Sequence, residues 1–479
     1  MHSALPSLNS DYPILNRAFR IATGDLISNI IPFQSGLLEC PSPTIMAGLE
    51  YESPWTRDAA INCWNAGSLM APEAARNTLM GVLERESGKI RIGGQYWDRV
   101  IWISGAWHHY LVTGDKSFLN VAAEAARNTL ARHETEEFDS EKGLFRGAAC
   151  FQDGVAGYPD RYARTNGSSG IFDWVRANPA SRAPVGFGLP MMACSTNCLY
   201  FAAYRDAARI LDALGQPGAE QAREKAEKLR QAIIKYFWDE KRGMMTYLID
   251  SEGGCEHQEG FGSAFALLFE VVNAAQAERI IANQFVTPHG IPCVWPTFDR
   301  YRTPDGQGFG RHSGTVWPQV QGFWADAAAR RGRTDLLFHE LISLATKAYR
   351  DAQFTEIYHP YTGEAYGGRQ EHFTEGYITE WASCRRQTWS ATAFLRMVLH
   401  GLAGMRFDEN GVTFEPQLAE PVKEIRIGNL TYRSACLSVT VHGAGSSVKQ
   451  FQVNGHPRSE PKIFSEESGN LDVRIDLAG

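Results

Sequence analysis

Residues 313–351, SGTVWPQVQGFWADAAARRGRTDLLFHELISLATKAYRD, decide the fold class because they read as two helices joined by one glycine. The first half is predicted to be a helix over 313–331, and a second periodic run covers 333–351 after Gly332. A connection this short forces the two helices to lie antiparallel. The first helix would bury one face, which carries Trp317, Val320, Phe323, Trp324 and Ala327.

The same periodicity recurs along the chain up to about residue 403, mostly as pairs with short connections. The other helices are predicted at 13–31, 55–69, 72–86, 96–112, 116–134, 192–213, 218–238, 260–271, 274–285 and 386–402. Six hairpins predict a mainly α fold, an (α/α)6 toroid in which each helix packs against its neighbours. The long connections between pairs would gather at one end and cover a central cleft.

After Gly404 the pattern changes to alternating apolar and polar residues, as in Ile425, Ile427, Leu437 and Val439. Turn sequences such as Asn454-Gly455 interrupt it. The chain is therefore predicted to have two domains, a catalytic domain at 1–404 and a small antiparallel, β-sandwich-like domain at 405–479.

Composition excludes several classes of protein. A net charge of −7 and a pI near 6.0 argue against a nucleic-acid surface. No apolar run approaches the ~18 residues of a membrane span, and the start has no signal-peptide pattern. The nine cysteines form no CxxC pair and there is no HExxH, so we expect reduced thiols, a cytoplasmic location, no metal site and no cofactor.

Residues 353–368, QFTEIYHPYTGEAYGG, follow the helical hairpin and carry the first candidate for chemistry, Glu356. This carboxylate lies between a helix and a turn-forming run, where we expect it to be positioned but not buried. Tyr358 and other aromatic residues surround it. Aromatic rings stack on the C–H faces of sugars and carboxylates bind or activate hydroxyls, so the stretch is typical of a sugar site.

Several motifs resemble the six-hairpin glycosidases, the clan that includes glucoamylases, trehalases, mannosylglycerate hydrolases, glycogen-debranching-type proteins and α-L-rhamnosidases. The resemblance covers nearly the whole chain and rests on the order and spacing of the motifs. They are PWTRD at 54–58, GRHSGTVWP at 310–318, TEIYHPYTG at 355–363, QTWSATAFLRM at 387–397 and GVTFEP at 411–416.

The resemblance implies hydrolysis by two carboxyl groups, a general acid and a general base. Glu356 matches the general base of the clan. The commoner acid motifs of the clan are absent, so the acid stays open between Asp153 and Asp160 in the loop 147–162, with Asp173 a third choice. We expect the pKa of Asp153 to be raised by its apolar neighbours, and Arg161 to keep Asp160 ionised.

The residues expected to bind the sugar come from the same motifs. Arg57 and Asp58 match the pair that holds the non-reducing-end sugar in glucoamylases, and Asp98 resembles a substrate-contacting aspartate of relatives. His312 is a further candidate contact, and Glu259 and Glu371 are carboxylates without an assigned role. The expected stacking residues are Trp55, Trp97, Trp317 and Tyr358.

These observations favour an inverting, exo-acting glycoside hydrolase that acts on a terminal, α-linked sugar of a small oligosaccharide or glycoside. A disaccharide phosphorylase or a sugar epimerase on the same ring are the alternative enzymes. A carbohydrate-binding regulator is the non-enzymatic alternative, and the complete motif around Glu356 argues against it. The sequence predicts no nucleic-acid or membrane partner, and it leaves the oligomeric state open.

Overall fold

The computed structural model describes residues 5–165, 168–372 and 377–478, and in these ranges the chain is predominantly helical. No helix in this part of the chain is both long and apolar enough to cross a membrane. We label its twelve main helices in chain order: α1 (Pro13–Ser28), α2 (Thr56–Asn62), α3 (Pro72–Gly81), α4 (Tyr96–Thr113), α5 (Lys116–Glu136), α6 (Cys194–Ala213), α7 (Ala219–Phe237), α8 (Gly260–Leu268), α9 (Ala274–Asn283), α10 (Pro318–Ala329), α11 (Thr334–Asp351) and α12 (Thr388–Arg396).

The even-numbered helices form a closed circuit. Helix α2 packs on α4, α4 on α6, α6 on α8, α8 on α10, α10 on α12, and α12 returns to α2. The odd-numbered helices pack outside this circuit. Helices α3, α5, α7, α9 and α11 pack against neighbours in the chain, and α1 packs against α11 and α12. The inner helices therefore share the core, and most of their residues are buried.

The predicted helices all exist, but several boundaries move. Helix α10 begins at Pro318, not at 313, because proline is suited to the first helical turn and the preceding residues are extended. Helix α3 ends at Gly81, not at 86, because Leu83–Glu86 is a strand paired with Lys89–Ile92. Helices α2 and α12 continue through π-helical turns, Cys63–Gly67 and Met397–Leu402.

The connections between hairpins carry short strands and helical turns. The strands, besides the pair just given, are Ile30–Phe33, Ser42–Ile45, Phe138–Asp139, Leu144–Phe145, Met192–Ala193, Trp238–Asp239, Met244–Met245, Leu248–Asp250, Gly253–Cys255, Gln258–Glu259, Val294–Trp295, Arg369–Glu371 and Ile378–Glu380. The short helical turns are Val155–Gly157, Asp160–Ala163, Ile171–Asp173, Trp174–Ala177 and Asp299–Tyr301.

The region after Gly404 is rich in strands, as predicted, but it is not purely antiparallel. Its strands are Met405–Asp408, Gly411–Phe414, Glu424–Tyr432, Ala435–His442, Val448–Val453, His456–Arg458, Lys462–Phe464 and Gly469–Leu477. The last strand lies between Ala435–His442 and Val448–Val453 and is parallel to the former. A strand from the other end of the chain, Ser7–Ser10, completes this six-stranded sheet.

A buried ionic cluster joins the inner helices to the strand-rich region. The carboxylate of Asp326 and the guanidinium of Arg396 are both fully buried and 2.6 Å apart. Arg330 and Arg406 contact the same carboxylate at 3.1 and 3.4 Å. Burial alone would raise the pKa of Asp326, but these three guanidiniums hold it well below its usual value. One carboxylate thus ties α10, α12 and the first strand after Gly404 together.

We expect Asp326→Asn to destabilise the protein by about 3–5 kcal/mol, because removing one partner of a buried ion pair leaves the other charge uncompensated. Chemical denaturation of the variant measures the loss. Folding lowers the pKa of Asp326. The difference in free energy of unfolding between wild type and Asp326→Asn should therefore be largest at neutral pH and shrink as the pH falls below about 3.8.

Asp335→Asn is the matched control. The side chain of Asp335 is 62% exposed and pairs with Arg333, and an exposed ion pair contributes about 0–1 kcal/mol to stability. Equal losses in the two variants would contradict the role given to the buried cluster.

Candidate active site

A pocket of about 110 Å³ lies where the N-terminal ends of inner helices meet the long loops. Six of its lining residues are among those singled out in the sequence: Trp55, Arg57, Asp58, Asp153, Trp317 and Glu356. Four others complete the wall: Tyr51, Phe151, Arg311 and Trp389. Residues from separate regions of the sequence therefore converge on one small, polar and aromatic space.

Glu356 lies in an irregular segment after α11. Its backbone N–H donates to the carbonyl of Cys384 at 2.9 Å. Tyr51 donates its hydroxyl to Oε1 at 3.0 Å, and Arg311 contacts Oε2 at 2.8 Å. Only 2% of Glu356 is exposed, so the expectation that it would not be buried is wrong. The strands and loops around this segment enclose it, and both carboxylate oxygens have a fixed donor.

Asp153 follows a turn that contains Phe151, whose φ of 63° places Phe151 in the left-handed region. One carboxylate oxygen is 3.2 Å from Nη1 of Arg57, and the other is 3.8 Å from Nε2 of His312. Desolvation by the surrounding protein alone would raise the pKa of Asp153, but the guanidiniums of Arg57 and Arg311 together lower it. The raised pKa expected from the apolar neighbours of Asp153 is therefore wrong.

Arg57 is the centre of the polar side of the pocket. Its Nε contacts Asp98 at 3.2 Å, and its Nη2 donates to Oε1 of Gln95 at 2.6 Å. Asp98 is fully buried at the start of α4, and burial raises its pKa to about 6 although Arg57 opposes the shift. Asp98 does not line the pocket. A direct contact between Asp98 and substrate does not fit this burial, since Arg57 stands in front of it.

Asp58 is also buried, with 3% exposed, but it does line the pocket. Its Oδ1 accepts a hydrogen bond from Nε2 of Gln387 at 3.4 Å. Burial raises the pKa of Asp58 well above its usual value; Arg57 opposes this, and Asp98 and Glu356 add to it. The raised pKa favours the protonated form of this carboxyl group in the wall of the pocket.

The aromatic candidates divide into two groups. Trp55 lies at the mouth of the pocket and is 43% exposed. Its φ of 43° is a strained backbone conformation for a residue other than glycine. Trp317 stacks on His312 with ring centroids 4.6 Å apart. Trp97 and Tyr358 are fully buried and lie outside the lining residues, so a stacking role for either does not fit the structure. Both belong to the core.

The remaining carboxylates lie away from the pocket lining. Asp160 pairs with Arg300 and Arg164, each at 2.8 Å, so it is held outside the pocket by two guanidiniums. Asp173 pairs with Arg176, and Glu371 accepts from Tyr301 at 2.6 Å and contacts Arg300 at 3.3 Å. Glu259 is buried behind the Asp153 loop, where Gln152 donates to its Oε1 at 3.3 Å and burial raises its pKa to about 8.

His312 lies at the back of the site without lining the pocket. It is 1% exposed, and burial lowers its pKa to about 3, so the imidazole is neutral beside Asp153. Of the pocket residues that sequence reasoning missed, Arg311 and Trp389 lie inside motifs quoted above, close to chosen residues. Tyr51 and Phe151 had no such signal, because only folding brings Tyr51 to Glu356.

No metal site accompanies this pocket in the part of the chain that the structure describes, where no group of three or more His, Cys, Asp or Glu side chains could hold an ion.

Comparison with solved structures shows the fold. A protein titled "Sialidase" matches with a TM-score of 0.68 and 15% identity over 95% of this chain and 40% of its own. A GH78 family rhamnosidase of Bacillus sp. GL1 matches with a TM-score of 0.55 and 14% identity over 99% of this chain and 44% of its own. The chain thus spans less than half the length of these two proteins.

The GH63 mannosylglycerate hydrolase from Thermus thermophilus, solved in complex with glucose, is covered over its whole length. It matches 80% of this chain with a TM-score of 0.56 and 15% identity. No curated protein matches the sequence. Residues 99–390, well over half of the chain, match the family described as the mannosylglycerate hydrolase MGH1-like glycoside hydrolase domain. This protein therefore belongs to the family of MGH1-like glycoside hydrolase domains, within the six-hairpin clan that its motifs resemble.

Proposed function

We propose that this protein is a glycoside hydrolase, that it is exo-acting and inverting, and that it removes a terminal, α-linked sugar from a small oligosaccharide or glycoside. The observation that carries the proposal is that Asp153 and Glu356 line the same pocket of about 110 Å³. This volume is below the ~300–1,000 Å³ of pockets for drug-sized ligands, so it suits one sugar ring. Trp55, Trp317 and Trp389 offer faces for that ring.

In this proposal Glu356 is the general base. An inverting enzyme needs a carboxylate that removes a proton from water on the face of the sugar opposite the leaving group. Tyr51 and Arg311 each hold one oxygen of Glu356, which fixes the carboxylate without covering it completely. Asp153 is the proposed general acid. Its side chain is 45% exposed, so it can reach a leaving oxygen at the mouth of the pocket.

Asp58 is a second candidate for the acid, favoured by one observation. An acid must carry its proton, and the pKa of Asp58 is raised while that of Asp153 is lowered. For Asp153 to work, the bound sugar must draw Arg57 away from it. If Asp58 is not the acid, it binds a hydroxyl of the terminal sugar, as its motif implies.

We further propose an (α/α)6 toroid for the helical part and a domain boundary near residue 404. The closed circuit of six inner helices supports the toroid. The strands after Gly404 support a separate β-sandwich-like domain, which the strand Ser7–Ser10 joins from the other end of the chain. All nine cysteines are free thiols, which suits the cytoplasmic location predicted from the sequence.

The alternative enzymes fit the pocket less well. A phosphorylase needs free cations for phosphate, and both guanidiniums of the pocket, Arg57 and Arg311, already contact carboxylates. An epimerase with a histidine pair needs two imidazoles facing the substrate, and no histidine is among the lining residues of this described pocket. Turnover that requires added phosphate would favour the phosphorylase over the hydrolase.

Glu356→Gln should lower kcat by about 10²–10⁴-fold, because the amide keeps the shape of the side chain and cannot act as a base. Steady-state kinetics with aryl α-glycosides and natural disaccharides measure the change, and NMR of the first-formed anomer tests inversion. Glu364→Gln, at a nearby exposed glutamate, is the control and should keep wild-type kcat. Wild-type turnover in Glu356→Gln would remove Glu356 from the mechanism.

Asp153→Asn and Asp58→Asn distinguish the two candidate acids. Loss of the acid should slow substrates with poor leaving groups far more than activated aryl glycosides, because an activated leaving group needs little protonation. We expect this dependence for Asp153→Asn and a uniform loss for Asp58→Asn. The reverse result would make Asp58 the acid. Asp160→Asn serves as the control and should show neither effect.

Asp58→Asn should also stabilise the protein at neutral pH. Because folding raises the pKa of Asp58, ionising it costs folding free energy that grows as the pH rises from about 3.8 towards the folded pKa. The neutral asparagine removes this cost. The variant should therefore match wild type in Tm below about pH 4 and exceed it at about pH 7, while kcat/KM falls by roughly tenfold or more. A lower Tm at neutral pH would show that Asp58 supports the fold.

A further inference from the structure

A second and larger cavity, of about 560 Å³, lies at the opposite end of the inner helices. Helix α10 joins the two ends: Trp317 precedes it in the first pocket and Arg330 follows it in this cavity, roughly 20 Å apart at ~1.5 Å per residue. The strand Met405–Asp408 and Glu415 close one side. The volume falls within the ~300–1,000 Å³ typical of ligand pockets, and nothing in the proposed catalysis uses it.

Aromatic rings form part of the wall. Trp64 is partly exposed here and stacks on Phe269, with centroids 6.2 Å apart and planes 13° from parallel. Phe407, also partly exposed, packs beside His108 and His400 at 5.2 and 6.0 Å. A partly exposed tryptophan and phenylalanine in a concave site offer flat faces to the C–H groups of a ligand.

The charged groups of the wall balance each other. Five arginines line the cavity and so do five carboxylates: Arg205, Arg209, Arg330, Arg331 and Arg406, with Asp206, Glu270, Asp408, Glu409 and Glu415. Arg209 pairs with Asp206 at 2.9 Å, and Arg406 with Glu415 at 3.2 Å.

The two histidines of the wall, His108 and His400, add no charge to it. Burial, together with the charge of Arg396, lowers the pKa of His400 to about 3 and also lowers the pKa of His108. Both imidazoles are therefore neutral.

Two of the arginines also form hydrogen bonds with backbone carbonyls at the ends of inner helices. The C-terminal ends of the inner helices bring partial negative charge to this side. Arg205 donates to the carbonyl of Phe269 at 2.7 Å, and Arg406 to the carbonyl of His400 at 2.6 Å. The cavity is thus rich in hydrogen-bonding groups of both kinds without a strong net charge, which argues against a phosphate or a metal ion as its ligand.

We propose that this cavity binds a neutral oligosaccharide of two or more sugar units, at a site separate from the catalytic pocket. A hydroxyl both donates and accepts, so it can meet guanidinium, carboxylate and neutral imidazole groups alike. The C–H faces of the sugar rings would lie on Trp64 and Phe407. The cavity measures about 560 Å³ against about 110 Å³ for the pocket, so it has room for more than one ring.

The test measures binding by isothermal titration calorimetry in the Glu356→Gln protein, which should not consume the ligand. The probes are maltose, trehalose and α-1,2-mannobiose, with inorganic phosphate as the charged comparison. Arg331→Ser/Glu409→Ser removes one charge of each sign from the partly exposed rim. Arg333→Ser/Asp335→Ser removes one exposed ion pair outside the lining and is the matched control.

We expect at least one disaccharide to bind, and one binding event to weaken tenfold or more in the rim variant and less than twofold in the control. Phe407→Leu, which keeps an apolar side chain, should weaken the same event. The proposal is overturned if no disaccharide binds, if phosphate alone binds, or if the rim variant and its control behave alike. Turnover of a probe by Glu356→Gln would contradict the catalytic proposal, whereas unchanged binding in the rim variant would contradict this one, so the two failures are distinguishable.

Discussion

The structure depends on one constraint, the common direction of the six inner helices. Each inner helix is preceded by an outer one that runs in the opposite direction, so every inner helix begins at the same end of the circuit. The N-terminal ends of α2, α10 and α12 therefore meet at the first pocket, and the C-terminal ends of inner helices adjoin the second cavity. Residues that are far apart in the chain, such as Arg57 and Trp317, become neighbours for this reason alone.

The electrostatics of the pocket follow from crowding carboxylates at these N-terminal ends. Asp58, Asp98 and Glu259 begin or precede three inner helices, where the helix dipole favours negative charge. Burial works against the dipole and raises the pKa of all three. The charge of Arg57 opposes the rise in the pKa of Asp58 and of Asp98. The same charge lowers the pKa of Asp153, the proposed acid, and so favours its ionised form. Burying these carboxylates lowers the stability of the fold but places ionisable groups in the site.

The opposite end carries the main structural ties. Asp326, beneath three guanidiniums, joins two inner helices to the first strand after Gly404. The strand Ser7–Ser10 pairs with Glu424–Tyr432, so the two ends of the described chain meet in one sheet. These ties close the circuit and at the same time enclose the second cavity. The same packing thus holds the fold together and creates a space that the catalytic proposal leaves unused.

The sequence by itself determined the helices, their pairing and the family, because periodicity and short connections are local properties of the chain. It also determined Glu356, Arg57 and Asp58 as pocket residues, since each lies in a short motif with fixed spacing. Tertiary structure alone decided that Tyr51 donates to Glu356, that Asp98 stands behind Arg57, and that Trp97 and Tyr358 belong to the core. It also reversed the expected pKa shift of Asp153. The physical reason is that burial and charge contacts join residues distant in the chain, and a local pattern carries no record of them.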